Sequence, residues 1–161
     1  MKIKKEEKRL NKVLQISSII ISVAILTYTI LNLKNLPEIV PSHFGFDGVI
    51  DGYMKGSESI LIYIGIGIIM SIFCNVAAIY PNKFLSDSKI NENNKEKQYH
   101  LFSKFMRILG LEIIVIFSYF QYEITKAAIN GVETIGTSYI FILFIILISS
   151  IVYEIKAKGL R

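Results

Sequence analysis

The sequence predicts an all-α integral membrane protein, and three observations carry that prediction. Hydrophobic residues fill 52% of the 161 positions and charged residues only 19%, whereas a soluble domain of this size covers its surface with charge. The apolar residues gather into four runs, each near the roughly 20 helical residues that a bilayer core of about 30 Å requires. Lysine and arginine are concentrated outside those runs and unevenly shared among the connections.

The four expected spans are residues 13–33, 60–80, 105–128 and 139–155, within a single membrane domain, 1–161. Residues 1–12 hold six basic and two acidic side chains, and Val13 to Leu33 is then apolar apart from Gln15, Asn32 and some Ser and Thr. A secretory signal peptide has a shorter apolar core, about 7–15 residues, followed by small residues at a cleavage site. This run is longer and ends in LNLKNLP, so an uncleaved span is expected. In the second span Gly67, Ser71, Cys74 and Ala78 recur at one-face helical spacing. Small residues on one face let a neighbouring helix approach closely. Homo-oligomerisation through Gly67 and Ser71 is a further expectation. Pro81 ends the span. Residues 81–104 then form a polar, basic cytoplasmic segment, with Asn91 as N-cap of a helix starting near Glu92. Tyr99, Phe102, Met106 and Leu109 make an apolar stripe, read as an amphipathic helix lying at the membrane interface and running into the third span. Gly131 and Gly136 break the chain before the fourth.

Orientation follows from the cations. Residues 1–12, 81–107 and the tail after residue 155 carry fifteen of the eighteen Lys and Arg residues, and residues 34–59 and 126–138 carry three. Both termini are therefore expected on the cytoplasmic side of the membrane, with loop 34–59 outside. Anionic-lipid attraction and orientation account for the basic segments, so no nucleic-acid partner is expected.

The outer loop contains LPEIVPSHFGFDGVIDGYMK, residues 36–55, with two of the three prolines. Pro37 and Pro41 cannot continue a helix. Phe44-Gly45, Asp47-Gly48 and Asp51-Gly52 are turn dipeptides. Ile39, Val40, Phe44, Phe46, Val49, Ile50 and Tyr53 are too apolar for a freely solvated loop, which predicts a compact fold against the outer helix ends. His43, Asp47 and Asp51 are ordinary metal-ligand types, but their spacing aligns them only on a helix, and the glycines oppose one. A structural or polar-network role is expected, without metal. His43 is also a candidate pH sensor, since its unperturbed pKa lies near 6.5.

The string Pro41-x-His43-Phe44, then Gly48-x-x-Asp51-Gly52-Tyr53-x-Lys55, resembles the signature of a domain-of-unknown-function family of small bacterial membrane proteins. Tyr80-Pro81, then Ile90, Asn93 or Asn94, and Tyr99 are similar to that family too. The resemblance covers roughly the first two-thirds of the chain. The same domain occurs in the immunity protein of the sporulation-delaying-protein toxin system, which is longer and carries further C-terminal helices. The resemblance implies toxin resistance, immunity or envelope signalling, with the loop recognising an extracellular peptide or another membrane protein.

Ionisable groups inside spans are expensive and usually partnered. Asn75 and Glu112 fall at similar depth on antiparallel neighbours and are expected to meet. Glu123, near the outer end, is expected to contact the loop. Asn75 and Glu112 support a rival expectation, a small transporter or an accessory subunit of a membrane complex. No catalytic motif is present: neither G-x-S-x-G nor H-E-x-x-H occurs, and His43 and His100 belong to opposite sides. The single cysteine, Cys74, forms no intramolecular disulfide and is read as a small buried hydrophobe. No enzyme and no cofactor are expected.

Overall fold

The computed structural model describes residues 2–85 and 90–160, with side chains from residue 8 onward. Of the expected cytoplasmic segment, residues 86–89, including Lys89, lie outside the described residues, as do Arg161 and the side chains of Lys2, Lys4 and Lys5. Helix α1 spans Lys2–Asn32. It contains neither Gly nor Pro, and it ends where Asn32 Nδ2 turns back to the Tyr28 carbonyl at 2.8 Å. A 3₁₀ turn, Leu33–Asn35, follows. Strands β1 (Ile39–Phe44) and β2 (Ile50–Lys55) then form an antiparallel hairpin. Helix α2 is Leu61–Ile79, and Pro81 opens a one-turn helix α3, Pro81–Phe84. Asn91 caps a 3₁₀ turn at Glu92–Asn94, its side chain accepting from the Asn93 amide. Helix α4 runs unbroken from Lys95 to Asn130 and stops at Gly131, which takes the left-handed conformation. Helix α5 is Tyr139–Lys158.

The structure is mostly helical, and within residues 34–59 it adds a β-hairpin that the sequence did not predict. Ile39 pairs with Lys55, Val40 with Met54 and Pro41 with Tyr53, and the register slips on either side of His43. A two-stranded sheet has only edge strands, so Pro41, which lacks an N–H, is tolerated in β1. At the hairpin tip Gly48 has φ +82°, a conformation that favours glycine.

Helix α4 is the hub: α1, α2 and α5 all pack on it, while α1 and α2 touch each other much less. At the hairpin end, Val40, Ile50, Ile60, Ile124, Ala127 and Ile135 form one buried cluster. Ile25, Ile64 and Ile114 form a second, and Cys74, Ala77, Ala78, Met106 and Ile113 a third toward the other end of α2. Gly67, Ser71, Cys74 and Ala78 are all buried. A Cβ on Gly67 would reach the Phe117 ring, with Cγ at 2.7 Å. The small-residue face is therefore filled by α4 of the same chain. The expectation for the Phe102, Met106, Leu109 stripe is corrected. It packs on Cys74, Ala77 and Ala78 of α2 instead of lying on an interface, because α4 continues straight through residue 104 and keeps that face toward α2.

The outward faces of the bundle are apolar. Val23 is 58% exposed, Ile69 69% and Phe141 73%, and on α5 only Tyr139 and Ala157 are buried. Helices this apolar on their outward faces suit lipid, because contiguous apolar surface of such extent is rare on monomeric soluble proteins. Residues 8–35, 57–79 and 139–158 are long and apolar enough to cross a membrane. The expected span 105–128 falls inside α4 and is not among them. There the apolar residues are mixed with Glu112, Ser118, Gln121, Glu123 and Thr125.

Candidate functional site

The hairpin is fastened on several sides. The Tyr63 hydroxyl donates to the Ser42 carbonyl. The Tyr139 hydroxyl donates to the Phe46 carbonyl at 2.6 Å. The turn between α4 and α5 adds backbone pairing: Ile50 N–H donates to Glu133 O, and Ile135 N–H to Gly48 O, both at 2.8 Å. Glu123 holds that turn by accepting from the Gly136 amide at 3.0 Å. Glu123 thus reaches the hairpin only through residues 133–136, which corrects the expected direct contact. Beneath the strands, Val40 is wholly buried. Phe44 packs on Phe120 at 5.0 Å between ring centroids, and Phe120 on Tyr139 at 5.3 Å.

The outer surface of the hairpin has a different character. His43 Nδ1 and Asp51 Oδ1 form an exposed cross-strand pair. Lys55 pairs with Glu38 at 3.1 Å. Asp47 instead accepts from the Val49 amide at 3.1 Å. This places Asp47 in its own turn, apart from the His43–Asp51 pair. Among the described residues, no group of three or more His, Cys, Asp and Glu side chains is arranged to hold a metal ion. Around these polar pairs Phe46 is 77% exposed and Tyr53 54%, and Ile39, Val49 and Met54 are exposed too. Of the sequence-derived loop residues, Pro41 is buried, Phe44 is half-buried in the aromatic cluster, and Gly48 makes the turn. Gly52 lies opposite His43, while His43, Asp51, Tyr53 and Lys55 face outward.

The expected Asn75–Glu112 contact is not formed. Glu112 accepts from Ser149 of α5 at 2.9 Å. Asn75 Oδ1 accepts from Arg107 Nη1 at 3.2 Å, and Gln15 Oε1 accepts from the same nitrogen at 3.2 Å. The two side chains leave their helices toward different neighbours. Sequence reading missed Arg107, Gln15, Ser149, Tyr63 and Tyr139 as partners. Gln15 was visible as a polar interruption of the first span. Arg107 was visible only as one more cation.

A predominantly helical bundle with apolar outward faces and membrane-length helices has the character of a membrane-embedded protein. A family model described as a domain of unknown function (DUF1648) matches residues 20–68. The matched stretch is the second half of α1, the whole hairpin and the first turns of α2. No curated protein and no solved structure matches the chain significantly.

Proposed function

We propose that this chain is a non-enzymatic, multi-pass protein of a bacterial cell membrane that acts through its hairpin in toxin resistance, immunity or envelope signalling. In this reading α4 supplies the third of four spans, with its polar residues shielded by α1, α2 and α5. The cation bias sets both termini inside and the hairpin outside. The observation that carries the reading is the fastened hairpin. Apolar Phe46, Val49, Tyr53 and Met54 and the His43–Asp51 pair stand exposed on a base fixed by Tyr63, Tyr139 and residues 133–135. A surface held this firmly loses little entropy when a partner binds. An extracellular peptide with apolar and charged residues fits its chemistry. The transporter reading needed Glu112 and Asn75 together, and they face different helices.

The test is survival of a bacterium sensitive to a membrane-active peptide toxin, expressing the wild type, His43→Ala or Asp51→Ala at equal membrane levels. The proposal expects protection by the wild type and its loss in both variants. Protection that persists in both variants would remove the hairpin from the mechanism, and no protection by the wild type would remove the resistance role.

A further inference from the structure

The end of the bundle away from the hairpin holds a charged group that the proposed recognition role does not use. Arg107 sits on α4, and its Nη1 donates to Gln15 on α1 and Asn75 on α2. Both acceptors are neutral amide oxygens. Among the described residues, Arg107 Nε is buried with no hydrogen-bond partner, and the guanidinium joins no ion pair. Five N–H donors and a full positive charge are thus met by two amides. A cation in that state within a membrane bundle is costly unless an anion meets it.

Gln15 and Asn75 also line a groove of about 370 Å³ between α1 and α2. Its walls include Ser18, Ser22 and Ser71, whose small side chains leave the space between the helices unfilled, and its lining is otherwise mainly aliphatic. It runs from Gln15 to Val23 along α1 and from Ile79 back to Ile68 along α2, about 12 and 16 Å at 1.5 Å per residue. Asn75 lies four residues from the end of α2, about 6 Å along its axis, near the level of the headgroups.

The geometry points to a lipid site: the groove takes the acyl chain of a phospholipid, and Arg107 takes its anionic headgroup. The charge of the guanidinium and the N–H donors that the two amides leave over suit a phosphate oxygen. The groove walls at Ile19, Val23 and Ile72 are 56%, 58% and 58% exposed, so the groove opens toward the acyl chains of the bilayer. The inference rests on the membrane reading and is independent of what the hairpin recognises.

The full chain, purified in mild detergent, is titrated with phosphatidylglycerol and phosphatidylcholine of identical acyl chains and observed by native mass spectrometry. The wild type is expected to retain phosphatidylglycerol about tenfold better, in line with a charge-assisted hydrogen bond. Arg107→Gln should erase that preference while retaining lipid. Ile72→Trp, at an exposed wall position, should fill the groove and lower retention of both lipids. Circular dichroism confirms helical content in each variant, and where Arg107→Gln fails to fold, Ile72→Trp decides. Equal retention of the two lipids by the wild type overturns the inference, as does an unchanged preference in a folded Arg107→Gln. Lipid-free dimers would instead assign the groove to a second copy. A chain that stays soluble and lipid-free without detergent would overturn the membrane reading itself.

Discussion

Replacing Gly48 with alanine tests whether the turn between α4 and α5 clamps the hairpin. Gly48 has φ +82°, and a Cβ there would lie 2.6 Å from the Ile135 carbonyl oxygen. A left-handed conformation costs an L-residue about 1–2 kcal/mol. The clash is with backbone, so no rotamer relieves it and residues 133–135 must retreat. That retreat breaks the Ile135–Gly48 and Ile50–Glu133 hydrogen bonds, each with a net value of about 1 kcal/mol. Local opening should therefore become easier by about 3–4 kcal/mol, a factor of several hundred in the opening constant. Hydrogen exchange of peptides covering 45–50 and 132–137 reads this directly. Exchange at the Ile50 and Ile135 amides should accelerate by about 100-fold or more. Gly65→Ala is the control, since nothing lies within 4 Å of a Cβ at that helical position. Acceleration of less than about threefold at both amides would refute the clamp.

Three further predictions concern the bundle and its orientation. Gly67→Ala forces a methyl group into the Phe117 ring and should destabilise by about 1–3 kcal/mol, read as a lower melting temperature in detergent; an unchanged melting temperature would mean that α2 and α4 do not pack there. Glu112→Gln keeps an oxygen for Ser149, so melting and the hairpin-dependent function should both be retained, and loss of function at unchanged stability would restore a proton-coupled role. Phe46→Cys, at a 77% exposed tip position, should react with an impermeant maleimide from outside intact cells while buried Cys74 stays unlabelled. Labelling of position 46 only after the membrane is opened would invert the topology.

Local features make parts of this chain legible in its sequence. The Asn91 cap, the stop at Gly131 and the buried face of Gly67, Ser71, Cys74 and Ala78 each depend on neighbours a few residues away or on one helix period. The hairpin is less legible. Its strands are six residues each and contain Pro41, Gly52 and a register slip, so alternation never repeats long enough to signal a strand. The polar pairs are illegible for another reason. Similar depth suggests that Asn75 and Glu112 meet, but depth fixes only position along the axis. The rotation of α4 turns Glu112 to Ser149 and Arg107 to Asn75.

By itself the sequence determined three of the segments that are apolar enough to cross a membrane, where helices break, how the cations divide among the connections, and that residues 36–55 leave the helical pattern. Those properties are set by composition and by interactions within a few residues. Only the tertiary structure decided that this stretch is a hairpin fastened to the α4–α5 turn, that α4 is the hub, and that Arg107 meets two amides at the end of a groove. Each of these depends on how helices rotate and approach one another, and that is fixed by packing across the whole bundle, such as Gly67 against Phe117 and Tyr139 against Phe46.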